Sequence, residues 1–176
     1  LARRQSGGGA VYQDLGNTNF TFLSGKNNFS KKSNNNIIIN AIKDFKVNAY
    51  TSGRNDILID DKEGPKKISG AAFKEKFDRT FHHGTLLINA NLTKLSHYLS
   101  PSKRKLASKG IKSVRSRVTN LQLQNDKISH QSMSDAIIQN FFKLHGQECE
   151  IEILNHDSLK KVQPLNDYYE KLKDWD

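Results

Sequence analysis

Apolar residues recur at helical spacing in some stretches of the chain and alternate at strand spacing in others. Ile37, Ile38, Ala41, Ile42 and Phe45 fall on one stripe of a 3.6-residue repeat, and Ser30 or Ser33 offers an N-cap before it. A second stripe, Ile137, Ile138, Phe141 and Phe142, predicts a helix over 132–145 that Gly146 stops. Leu92, Leu95 and Leu99 mark a short helix ending before Pro101, and 165–172 predicts a short amphipathic one. Alternation around Phe20 and Phe22 predicts a strand over 19–23. Strands are also expected at 10–12, 47–50, 56–60 and 150–154, with a turn over 60–65. Segments 67–73 and 82–89 read as an antiparallel pair. Strands that pair locally, interspersed with helices, predict an α/β chain of the α+β type: a mixed, largely antiparallel sheet with flanking helices.

Composition narrows the function classes. A length of 176 residues fits one domain with one core, and no run approaches the roughly 18 apolar residues of a membrane span. The single cysteine, Cys149, excludes an internal disulfide framework. Flanked by Glu148 and Glu150, it is poorly placed to act as an anionic nucleophile and reads as a buried or bystander thiol. The net charge of +10 fits nucleic acid or an acidic protein surface as partner. The lysines are scattered apart from a cluster at 103–112, and no zinc-finger, basic-zipper or RNP-type motif accompanies them. Neither a nucleic acid nor a membrane is therefore the expected partner. The chain opens on Leu1 and closes on Asp174-Trp175-Asp176, and we expect it to be a piece of a longer protein, incomplete at both ends.

Four segments carry candidate chemistry. Arg3-Arg4-Gln5-Ser6-Gly7-Gly8-Gly9 precedes Ala10-Val11-Tyr12. Consecutive glycines let the backbone approach a ligand, and successive amides can form a concave anion site. Paired arginines can add bidentate contacts to phosphate or carboxylate. The glycine spacing is neither a P-loop nor a dinucleotide fingerprint, and a flexible linker stays open as an alternative. Gly53-Arg54-Asn55-Asp56 enters the apolar strand Ile57-Leu58-Ile59, so Asp56 could help hold Mg²⁺ beside nucleotide phosphates; a plain turn is the simpler reading. Lys67 enters a strand of small and apolar residues, Ile68-Ser69-Gly70-Ala71-Ala72, which suits a cation aimed at acyl-phosphate oxygens; taken alone, a solvated lysine is simpler. His82 and His83 are adjacent on a strand and so face opposite ways, which argues against a shared zinc ion.

Taken together and in order, these blocks resemble the lipoate-protein ligase A and lipoyltransferase family. The resemblance is carried by 3–12 with Asp14-Leu15-Gly16-Asn17-Thr18-Asn19, by Gly53-Arg54-Asn55-Asp56, Lys67-Ile68-Ser69-Gly70 and His82-His83-Gly84-Thr85-Leu86-Leu87, and by the block at 109–118. It is close over about 1–121. It implies the fold of biotin-protein ligases, related to class II aminoacyl-tRNA synthetases. It also implies an enzyme that uses ATP and Mg²⁺ to convert lipoate or octanoate to an acyl-adenylate, then transfers the acyl group to a lysine. The implied acceptors are acidic lipoyl domains: the E2 subunits of 2-oxoacid dehydrogenases and the H protein of glycine cleavage. By resemblance Lys67 is the essential lysine, and Arg4, Ser6, Gly7, Gly8 and Gly9 form the loop around the adenylate. Asn55 and Asp56 are nucleotide and phosphate contacts, Asp56 being the candidate Mg²⁺ ligand, and Phe81 and His83 line the pocket. The family location would be mitochondrial for a eukaryotic source and cytoplasmic otherwise.

One departure bears on the first half-reaction. The family usually has histidine where this chain has Gln13, and glutamine can hydrogen-bond but carries no charge near neutral pH. An ATP-independent lipoyl or octanoyl transferase, moving the acyl group between carrier proteins, therefore stays open beside the ligase. A biotin ligase and a basic nucleic-acid-binding module are more distant rivals. The family pattern also predicts further parts: N-terminal elements before Leu1 and a C-terminal accessory domain.

Overall fold

The computed structural model describes residues 3–53, 55–99 and 117–173; Arg54, the lysine cluster at 103–112 and the motif residues 109–116 lie outside them. One sheet of five strands has the order β1-β5-β4-β3-β2, with β1 Asn17–Gly25, β2 Ala49–Ser52, β3 Asp56–Asp61, β4 Gly64–Glu75 and β5 Arg79–Leu87. Every neighbouring pair is antiparallel. Among the described residues, the isolated parallel contact is the bridge from Lys67 to Val118. The helices are α1 Lys31–Asp44, α2 Leu92–Tyr98, α3 His130–His145, α4 His156–Lys160 and α5 Gln163–Lys173.

Helix α1 forms despite three consecutive asparagines, which are indifferent helix formers. Its N-cap is Ser30, whose side chain accepts from Ser33 N at 3.2 Å. Asn34, Ile37, Ile38, Ala41 and Ile42 lie on one face and are buried. They meet Phe20 and Phe22 of β1, Ile57 and Ile59 of β3, Ile68 of β4 and Leu86 of β5, with Leu121, Ile128 and Met133 closing the core. Each buried isoleucine contributes on the order of 1.5–3 kcal/mol, so this face outweighs the weak propensity. Helix α3 starts at a Ser129–Ser132 capping box and stops at Gly146 in the left-handed region, φ 65°. No helix among the described residues is long and apolar enough to cross a membrane.

Three expected strands are corrected. Residues 10–12 form none; Val11 is exposed, and Tyr12 is instead stacked on Tyr98 with ring centroids 6.0 Å apart. Residues 150–154 keep the alternating pattern but find no neighbouring strand among the described residues, and Ile151, Ile153 and Leu154 are exposed. The strand expected from 47 begins at Ala49, because Lys46 turns the chain at φ 62° and Val47 goes into the core first.

The sheet has two unlike faces. Thr80, His82, Gly84 and Leu86 of β5 are buried toward α1 and α3, while Phe81, His83 and Thr85 alternate onto the other face. Helices cover the first face, and the second carries the candidate chemistry.

Candidate active site

A β-bulge builds the site. Ile57 of β3 pairs with Ser69 and Leu58 with Lys67, so Ile68 is an extra residue in β4. In a regular strand Lys67 and Gly70, three apart, would face opposite ways. The bulge brings both to the face on which Asp56 lies, opposite Gly70. Lys67 Nζ then reaches Asp56 Oδ1 at 2.7 Å, with the two side chains 26% and 37% exposed. Gly70 makes room for this contact: a Cβ there would stand 3.1 Å from Lys67 Nζ and 3.2 Å from its Cε.

The backbone of Lys67 is fixed on its outer side. Its N–H donates to Arg117 O at 2.7 Å, and its carbonyl accepts from Thr119 N at 3.1 Å. Residues 117–119 thus take the place beside β4 that β5 occupies from Ser69 onward. Asn120 anchors that segment with a two-way bond to Ala90: its Nδ2 donates to Ala90 O at 2.9 Å, and its Oδ1 accepts from Ala90 N at 3.0 Å.

The glycine loop crosses the same face. Ser6 Oγ and His83 Nε2 are hydrogen-bonded at 2.5 Å. Arg4 folds into the loop rather than away from it, donating to Gly7 O at 2.9 Å and Gly9 O at 2.8 Å. Gly8 sits at φ 109°, which strains any side chain, and a Cβ there would come within 2.6 Å of the Arg4 guanidinium, which would have to shift. Arg4 thus braces the loop by occupying two of its carbonyls. Gln5 adds two tethers, accepting from Lys74 Nζ at 2.9 Å and donating through Nε2 to the Tyr168 hydroxyl of α5 at 2.7 Å.

Burial and nearby positive charge lower the pKa of both histidines. Burial lowers the His83 pKa, and the nearby Arg4 charge lowers it further. Phe81 lies beside it with ring centroids 5.3 Å apart. His82, fully buried on the helical face, is stacked on Phe73 at 4.2 Å between centroids. Burial, with the Lys31 and His83 charges, pushes its pKa down to about 4. The two histidines face opposite sides, as the strand alternation required. Asp14 holds the far end of the loop. Burial alone would raise its pKa, but bonds from Asn91 N, the Tyr12 hydroxyl and Gly16 N, with the Lys94 charge, lower it overall.

The structure thus gathers Arg4, Ser6, Gly7, Gly8, Gly9, Asp56, Lys67, Phe81 and His83 on or over one sheet face. Asn55 stands at its edge: its carbonyl accepts from Ala71 N at 3.0 Å and its Oδ1 from Lys31 Nζ at 3.3 Å. Gln13 is exposed in the loop. Lys31, Gln5 and the Ile68 bulge were not foreseen. No local sequence signal marks them, since each acts through a partner distant in the chain. Cys149, one reading of which was a buried thiol, is exposed.

The family model described as the lipoyl protein ligase A/B catalytic domain matches residues 1–142. A lipoate-protein ligase A of Psychrobacter cryohalolentis is 54% identical, matching 100% of this chain and 52% of the relative. The P. falciparum LipL1 structure in complex with lipoate has a TM-score of 0.80 at 41% identity, covering 100% of this chain and 50% of that one. A bi-partite archaeal lipoate protein ligase from Thermoplasma acidophilum, described with its E2 lipoyl domain, has a TM-score of 0.74 at 28% identity over 95% and 66% of the two chains. A lipoate-protein ligase A bound with ATP has a TM-score of 0.72 at 25% identity over 95% and 67%. The chain spans about half the length of the curated relatives it matches. It belongs to the lipoyl protein ligase A/B catalytic domain family.

Proposed function

We propose that the intact protein activates lipoate or octanoate with ATP and transfers the acyl group to a lysine of an acidic lipoyl domain. The observation that carries this reading is the Lys67–Asp56 pair, set by a bulge on the sheet face that the braced glycine loop crosses. The lipoate-bound and ATP-bound relatives support the substrates, and the relative described with its E2 lipoyl domain supports the acceptor class.

In the first step a carboxylate oxygen of the acyl substrate attacks the α-phosphorus of ATP. The bond to the β-phosphate side breaks, and pyrophosphate leaves. In the second step the neutral amine of the acceptor lysine attacks the acyl carbonyl. The carbon–oxygen bond to AMP breaks, AMP leaves with the electron pair, and the amine sheds a proton. The Lys67 ammonium offsets the charge that develops on phosphate oxygen in the first step and on carbonyl oxygen in the second. Loop amides from Ser6 to Gly9 hold the same oxygens, and Phe81 and His83 wall the pocket. No enzyme nucleophile is needed.

Mg²⁺ would neutralise phosphate charge as ATP binds. Among the described residues no group of three or more metal-ligating side chains exists. Mg²⁺ commonly takes one or two carboxylates and completes its shell with phosphate and water, and Asp56 offers one partly exposed carboxylate on the site face. Asp56 would hold it.

A net charge of +10 favours encounter with acidic lipoyl domains, including those of E2 subunits and the glycine cleavage H protein. The test is acceptor lipoylation by the intact protein, with and without ATP. Transfer should require ATP and release one pyrophosphate per acyl group. Transfer from an acylated carrier that ignores ATP would replace the ligase with the ATP-independent transferase that Gln13 leaves open.

A further inference from the structure

The geometry points to Lys31 as a positioning residue that fixes which end of the Asn55 amide faces the ligand, a role that rests on the nucleotide-binding reading above. Lys31 opens α1, whose first turn contains Lys31 and Lys32 and no acidic residue. A cation there faces the positive end of the helix dipole, an unfavourable placement that helix formation does not explain. Lys31 is only partly exposed. Its Nζ lies 5.2 Å from the Phe73 ring centroid and 3.3 Å from Asn55 Oδ1.

Two constraints meet at Asn55. Its carbonyl is bound to Ala71 N at 3.0 Å, so the backbone is clamped to β4 and the amide alone can turn. An ammonium has donors only, so it must meet Oδ1 and never Nδ2. The amide N–H groups, not the oxygen, are then left to meet an incoming nucleotide beside Asp56. N–H groups suit phosphate and ribose oxygens, whereas an amide turned over would present oxygen to oxygen. Lys31 thereby sets the polarity of Asn55. A packing role on Phe73 alone would be met by any long side chain at this position.

The experiment measures lipoate-dependent pyrophosphate release by the full-length protein at varied ATP. It compares Lys31→Met, Lys31→Arg, Asn55→Ala and the Lys31→Met/Asn55→Ala double variant. Lys31→Met should raise the KM for ATP about tenfold with kcat nearly unchanged, the size of losing one charge-assisted orientation. Lys31→Arg should restore it, and the double variant should be no worse than Asn55→Ala, because the two act through one group. Asn55→Asp, which keeps a partner for Lys31 but lacks the N–H groups, should lose ATP affinity with α1 still in place. Multiplying losses in the double variant, or a Lys31→Met variant with lower Tm and an unchanged KM, would overturn the inference while leaving the ligase intact. A wild-type protein that releases no pyrophosphate would remove both together.

Discussion

Lys67 Nζ and Asp56 Oδ1 stand 2.7 Å apart across a β-bulge, on the sheet face turned away from the core. Ion pairs this exposed contribute about 0.2–1 kcal/mol, too little to account for a bulge and a glycine that serve them. The arrangement makes sense as a poised cation: Asp56 holds Lys67 aimed until a ligand's oxygens compete for it.

Gly70→Ala tests the poise. The added Cβ would meet Lys67 Nζ at 3.1 Å, tighter than ordinary contact but against the end of a flexible side chain. Stability should change by less than about 1 kcal/mol in denaturant titration, while acyl transfer falls roughly tenfold or more as Lys67 is displaced. Unchanged turnover would mean that Lys67 need not occupy this position.

Gly8→Ala tests the loop. At φ 109° a side chain is strained, and its Cβ would collide with the Arg4 guanidinium at 2.6 Å. The loop is exposed, so Tm should move little. The KM values for ATP and lipoate should rise by about tenfold or more, because the brace from Arg4 to Gly7 and Gly9 is lost. A large fall in Tm with normal KM values would show that the loop serves the fold instead.

His82 gives stability a pH dependence. Its folded pKa of about 4 lies below the ordinary 6.5. Between those values the unfolded chain takes up a proton and the folded chain does not. Stability therefore falls as pH drops from 6.5 toward 4 and levels off below, by at most about 3 kcal/mol. Its two ring nitrogens have no hydrogen-bond partner among the described residues, so charging it has no local compensation. Chemical denaturation of wild type and His82→Phe at pH 7 and pH 4.5 checks this. The variant should lose less stability on acidification; parallel losses would assign the effect to other groups.

Much of the fold was legible because it rests on periodicity. The stripe from Ile37 to Phe45 gave α1, the alternation around Phe20 and Phe22 gave β1, and adjacent histidines had to part to opposite faces. The error at 150–154 has a physical cause: the segment alternates as a strand does, but a strand also needs a neighbour, and pattern cannot supply one. The site was legible as blocks and not as geometry. Lys67 and Gly70 sit in one motif, yet only a bulge brings them to one face, and no residue type announced it. Gln5 meets Tyr168 and Lys31 meets Asn55 across long chain separations, which local reading does not reach.

The most direct test of the account is Lys67→Ala in the full-length protein, assayed for pyrophosphate release with lipoate and ATP and for acyl transfer to a lipoyl domain. The pair's exposure predicts a cooperative fold within about 1 kcal/mol of wild type, and the proposed chemistry predicts both steps reduced at least a hundredfold. A folded Lys67→Ala protein that lipoylates its acceptor at near wild-type rate would contradict it.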